Sequence, residues 1–445
     1  MHSDSLGNRL TLQAASSLGP VNDFVEGFIA CEARAVNILV AAQTDLSCIV
    51  QSCAAALHMF AETGAAPRHA RPFVSRAMAH APQATPRERR FCAAVAAWVD
   101  GDIDRAIALH QEQAHQDPRD LASVKLGQYH LFNRGDAPGM LRLALEALPC
   151  AADVPQAHGM AAFGWEQCHL FAQAESAARH AIALRHKEPW AQHALAHVLL
   201  GTGRIAEGLD FMRQASATWT DLNSFMRTHN WWHLALFALE LEMHDEVLHL
   251  YDSQVWAVDK SYSQDQINAV SLLARLELAG ADVGARWQDL ADRLVLRLDD
   301  HVLPFLDMQY LYGLARAERP EADALLAGVE RHARLQATPA RPDAGVAWGE
   351  VCLPACHGLL AHARGAHALA ARALGGVLPR LAEVGGSHAQ RDLFEQIHLD
   401  SLARSGQWRA AQHLQQQRRN GQPESIRLKR QAGRIYATLG LAAWT

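Results

Sequence analysis

A recurring interval of 34 residues limits what this 445-residue chain can fold into more than any other feature of its sequence. From Ala106, equal steps lead to Met140, Ala174 and Gly208, each just after a turn-like segment: Arg105-Ala106-Ile107-Ala108, Gly139-Met140-Leu141-Arg142, Gln173-Ala174-Glu175-Ser176 and Glu207-Gly208-Leu209-Asp210. A repeat of this length is one supersecondary unit, too small to bury its own apolar face, so neighbouring units must stack. Within one period, Phe91 to Trp98 shows apolar residues at three- and four-residue spacing, Gly101-Asp102 breaks it, Ala106 to Leu109 resumes it and Asp117-Pro118-Arg119-Asp120 ends it. That is helix, turn, helix.

Pro118, twelve residues after Ala106, fits the tetratricopeptide (TPR) pattern, whereas His186 takes the equivalent place after Ala174, so the repeats are degenerate. Val247, in Asp245-Glu246-Val247-Leu248, comes 39 residues after Gly208, which predicts an insertion near 216–225. Further helix pairs are expected at roughly 265–300, 302–335, 347–376 and 387–418, with turns at Gly280, Gly365 and Gly406. The best linker is 334–346, with Pro339, Pro342 and Gly345. The expectation is an all-α, TPR-like α-solenoid spanning 1–445 as one domain, clearest at 90–255, with C-terminal helices over 347–445. Aromatic residues are only 7% of the chain, and its Ala, Leu, Gln and Arg suit helices, so almost no sheet is expected.

With 49% apolar and 20% charged residues the chain has the composition of a globular protein. Lys plus Arg number 41 against 47 for Asp plus Glu, and the net charge of −6 offers no attraction for nucleic acid or an anionic membrane. No basic N-terminal stretch leads into an apolar run, and no long uncharged apolar segment occurs, so neither export nor a membrane is expected. The eight cysteines contain no Cys-x-x-Cys, which points to reduced, mostly core thiols and a cytoplasmic protein.

Histidine is the unusual residue, with 25 copies. Two pairs have i,i+4 spacing: His193 and His197, and His229 and His233 in His229-Asn230-Trp231-Trp232-His233. Chance placement gives roughly 1.3 such pairs, so location matters more than number. Counted from the repeat anchors, both pairs fall on first helices of their units, the helices that line the groove of a stack. One turn apart on one face, each pair can share a metal or a substrate. Zinc is the first choice among divalent ions, with a carboxylate from Glu166, Glu207 or Glu240 as partner and Glu240 as a candidate catalytic group. His-Glu-x-x-His is absent. The alternative is that these rings are buried contacts between helices.

Gly385-Gly386-Ser387-His388-Ala389-Gln390-Arg391-Asp392 reads as a turn followed by a capping box, Ser387 with Gln390. It reads equally as a helix N-terminus where His388 donates a proton and Arg391 clamps a substrate carboxylate. Asp307, with Gln309, is a candidate substrate contact, although a solvent-exposed position is the commoner fate of such an aspartate. Trp231 and Trp232 can wall a planar substrate, but one of the two must face the core. Cys352 and Cys356 read as core. No phosphate loop, nucleophile elbow or kinase signature appears.

From Trp190 to Asp252 the sequence resembles the tetratricopeptide repeat protein 38 family. The resemblance rests on His193-Ala194-Leu195-Ala196-His197-Val198, Glu207-Gly208-Leu209-Asp210-Phe211-Met212, His229-Asn230-Trp231-Trp232-His233, Leu250-Tyr251-Asp252, Gly284-Ala285-Arg286-Trp287-Gln288-Asp289 and the run from Gly385 to Asp392. It extends from about residue 25 to beyond 400. It implies a TPR-like superhelix, places the family's histidine pairs at His193/His197 and His229/His233, and carries no general reaction. This chain departs from it at Asn268, where relatives carry Asp, and at Gln309, where they carry His. The resulting expectation is a metal-dependent hydrolase or lyase acting on a small polar metabolite in a histidine-rich pocket; the alternative is a TPR scaffold for a peptide or protein partner.

Overall fold

The computed structural model describes residues 2–337 and 342–441. Most of them are helical. Among the described residues the one sheet is a short antiparallel hairpin, His2–Ser3 with Arg9–Leu10, in which His2 faces Leu10. The chain divides into two compact units, Met1–Leu195 with Thr218–Arg227, and Ala196–Ala217 with Thr228–Thr445. Two helices, Pro189–Gly201 and Ser224–Glu240, run from one unit into the other.

The first unit repeats one local device. Gly101 and Gly135 take φ of +74° and +71°, the left-handed turn that glycine adopts without strain. The aspartates that follow cap the next helices: Asp102 accepts from the Arg105 backbone N–H at 3.2 Å, and Asp136 from that of Gly139 at 2.8 Å. Helix pairs result at Pro86–Val99 with Ile103–Gln116 and at Leu121–Asn133 with Ala137–Ala147; a third pair, Pro155–Gln167 with Phe171–Leu184, turns instead at His169, φ +59°. The anchors Ala106, Met140 and Ala174 are all buried on second helices. The TPR-like repeat is therefore physical. The anchor is the point where the second helix presses on its neighbours.

The fourth anchor, Gly208, lies on Ile205–Ala215 in the second unit, where a Cβ would collide with the buried ring of Phe237. The insertion has a structural use. Residues 216–223 form a tight turn and an extended stretch within which Leu222 pairs with Glu32, and the Asn223 N–H donates to the Cys31 carbonyl at 2.8 Å. After it come the pairs Ser263–Ala279 with Arg286–Leu294, Pro304–Arg316 with Glu321–Gln336, Leu353–Ala363 with His367–Val377 and His388–Arg404 with Trp408–Gly421. A further helix, Ile426–Thr438, packs on the last of these and was not anticipated by the periodicity.

The predicted linker 334–346 lies partly outside the described residues. Its beginning closes the Glu321–Gln336 helix, and Pro342–Val346 leads into the next one. The stretch Ala344–Ala363 is long and apolar enough by length and composition to cross a membrane, but 56% of its most apolar window is buried inside the protein, as in a core helix.

Candidate functional site

In the second unit, the helix Ser224–Glu240 presents His229 and His233 one turn apart, both buried. His197, fully buried on Pro189–Gly201, meets them: its ring centroid is 4.5 Å from that of His233, which is 4.8 Å from that of His229. One nitrogen of each ring lies within 4.8 Å of the others. His193 precedes His197 by one turn of the same helix; in the first unit its ring stacks on Trp190 at 4.9 Å and tilts against Phe163 at 5.2 Å.

Neighbouring polar groups set the state of this cluster. His229 Nδ1 is 2.9 Å from the Asn268 Oδ1 on Ser263–Ala279. The Asn268 amide nitrogen faces the Thr228 hydroxyl at 3.4 Å, and that hydroxyl donates to Asp265 at 2.9 Å. With its Nδ1–H given to an amide oxygen, His229 keeps the lone pair on Nε2. Burial pushes its pKa down to about 3 despite the Asn268 bond, helped by the nearby His197, so the ring is neutral at pH 7. Trp232 lies flat on His229 at 5.0 Å, and the Arg275 guanidinium sits 5.4 Å from the Trp232 ring centroid. Trp232 is the tryptophan that faces the core, and Trp231 is partly exposed.

His388 connects this cluster to a cavity. Its ring stands edge-on to His197 at 5.3 Å, and it lines a cavity of about 440 Å³ together with Glu240, Arg275, Arg391, Asp392 and Glu395. The lining is strongly charged. Arg275, 2% exposed, donates to the Ala389 carbonyl at 2.8 Å and to Ser271, and lies 3.8 Å from Asp392. Burial brings its pKa down to about 10, which still leaves it charged. Burial works to raise the Asp392 carboxyl, but Arg418, at 2.6 Å, and Arg275 together hold it well below the usual range.

The Gly385-to-Asp392 run forms the expected capping box: Ser387 accepts from the Gln390 N–H, and Gln390 Oε1 accepts from the Ser387 N–H at 2.8 Å. Gly386, at φ +75°, leaves room for Phe305, whose ring would lie 2.7 Å from a Cβ. Arg391 ties the turn by donating to the Gly386 carbonyl while also facing the cavity. Glu240 lines the cavity too, but its carboxylate is held by Arg427 at 2.6 Å and by the Ser425 hydroxyl. Glu207 is exposed and pairs with Arg204, and Glu166 in the first unit accepts from Gln167 at 2.6 Å.

Asp307 is not on a solvated face. It is fully buried, because Pro304–Arg316 is covered on every side, and its Oδ2 is 2.6 Å from His301 Nδ1. Burial raises the Asp307 pKa, and the bond to Asp307 raises that of His301. Neither Asp307 nor Gln309 is among the residues lining the cavity. Cys352 and Cys356 are fully buried core, as expected. Sequence reasoning missed Arg275, although a lone arginine in Ser271-Leu272-Leu273-Ala274-Arg275-Leu276 was the available signal.

No protein-family model matches the chain. Among solved structures it is similar to the complex described as Naa15/Naa10 bound to HypK-THB, at 14% identity and a TM-score of 0.25, over 80% of this chain and 61% of that one. This chain thus spans about three fifths of the length of the chain it matches. A likeness at that score does not reach side chains, and no chemistry is carried across from it.

Proposed function

We propose that the second unit holds a metal-dependent site for the hydrolytic or lytic cleavage of a small polar metabolite. The supporting observation is the meeting of His197, His229 and His233 beside a charged cavity that His388 joins to them. Three imidazoles form a donor set of catalytic zinc centres, and a ring nitrogen engaged by Asn268 is the usual outer support of such a ligand. A divalent ion held there, zinc foremost, supplies Lewis acidity and activates water near neutral pH. The remaining work falls to the chain's own groups. Arg391 orients a substrate carboxylate in the cavity, and His388 delivers or removes the proton at the scissile bond. Glu240 keeps Arg427 in place rather than acting as a base.

Membership of the tetratricopeptide repeat protein 38 family belongs to the same reading and is supported by the motifs quoted above. A reducing, cytoplasmic setting is supported by the burial of six of the eight cysteines as free thiols. The test is metal analysis of protein purified without an affinity tag. We expect stoichiometric metal, one equivalent of which is lost in His233→Ala; no metal, or loading unchanged in His233→Ala, would falsify the proposal.

A second reading, a scaffold for a peptide partner, is favoured by a groove of about 940 Å³ lined by Gln412, Gln416, Arg419, Asn420 and Tyr436. Its amide groups suit an extended backbone. A stoichiometric protein partner displaced by Gln412→Ala, in protein that binds no metal, would decide for it.

A further inference from the structure

A separate group of ligating side chains lies in the second unit, where Leu353–Ala363 turns into His367–Val377. His362 is in the last turn of the first helix and His367 opens the second. Gly365, at φ +76°, reverses the chain between them and brings the two rings to 5.5 Å. Asp400, from His388–Arg404, completes the group with Oδ2 2.9 Å from His362 Nε2. One donor atom of each residue lies within 4.8 Å of the others.

We propose that His362, His367 and Asp400 form a second metal site, of two imidazoles and one carboxylate, for a divalent ion of the zinc or ferrous type. Such a donor set suits these ions and leaves positions open to solvent. Asp400 and His367 are only half-buried, so an ion can enter.

The supports of the site favour binding. The His367 Nδ1 is buried and has no hydrogen-bond partner among the described residues, a cost that a metal bond to this nitrogen would remove. His362 Nδ1 lies 3.1 Å from the hydroxyl of the buried Tyr312. Without metal, that nitrogen accepts from Tyr312 while Nε2–H donates to Asp400. With metal, the proton moves to Nδ1 and is donated to the Tyr312 oxygen, which turns the Nε2 lone pair to the ion. Arg404, 2.8 Å from Asp400 and 61% exposed, competes with the ion and can swing into solvent.

Titration of the metal-free chain with Co²⁺, followed by calorimetry and visible absorption, tests the site. We expect a binding event that disappears in His367→Ala and in Asp400→Asn with helix content unchanged, and that persists in His197→Ala and His233→Ala. Tyr312→Phe should weaken it by about tenfold. Arg404→Ala should tighten it several-fold, a gain that misfolding cannot produce. A Co²⁺ isotherm unmoved by His367→Ala, Asp400→Asn and Arg404→Ala overturns the proposal.

Discussion

Both units bury imidazoles side by side, and they do so for different ends. In the first unit His110 and His130 stack at 5.7 Å, His110 Nδ1 lies 2.7 Å from the Ser123 hydroxyl, and Trp98 stands edge-on to His130 at 4.9 Å. A Cβ on Gly127 would come within 2.9 Å of His110, so this packing has no slack. In the second unit His197, His229 and His233 meet, and His388 connects them to a charged cavity. Burial alone does not separate the two. It lowers the pKa of His110 to about 4 and that of His229 to about 3. The difference lies in what each set borders: tightly packed rings in one case, polar space with fixed arginines in the other.

The sharpest contrast is between truncations at matched burial. His130→Ala should cost about 3 kcal/mol in urea unfolding, the price of an aromatic-sized void, and leave metal loading intact. His233→Ala should remove the equivalent of metal held by the His197–His229–His233 cluster. If His130→Ala also strips the metal, the distinction drawn here fails.

Acid unfolding probes the first unit. Burial depresses His110 and His130; Asp120 raises the former slightly, while His110 and Arg134 push the latter further down. The unfolded chain therefore binds protons at these sites from about pH 6.5, where the folded chain does not. Their contribution is complete above that pH and is lost as pH falls toward 4, by about 1.4 kcal/mol per group per unit. Replacing His110 with Gln should flatten the slope of stability between pH 6 and 4.5, and an unchanged slope would show that the His110 ring is solvated.

The smallest expected effect is at the outer support of the second cluster. Asn268→Asp places a carboxylate on His229 Nδ1 and should tighten metal binding by about tenfold. Weaker binding would mean that the neutral amide is the preferred partner.

Much of the fold was legible because repeats write themselves locally. Gly101-Asp102 announces its turn and cap, Gly280, Gly365 and Gly406 fall between helices, and Ser387 with Gln390 caps as read. The fully buried state of Asp307 was not legible, since its partner His301 comes from the preceding turn and its cover from several helices. Arg275 was missed for a similar reason: its partners Ala389 and Asp392 lie more than a hundred residues away.

By itself the sequence determined helix identity, the register of the repeats and the i,i+4 placement of the histidine pairs, because each depends on residues within a turn or two of one another. Which rings meet was decided only by tertiary packing, as were the arginine that reaches the cavity and the roles of Glu240 and Asp400. Partners at large sequence separation are chosen by how whole helices pack, and no local pattern encodes that choice.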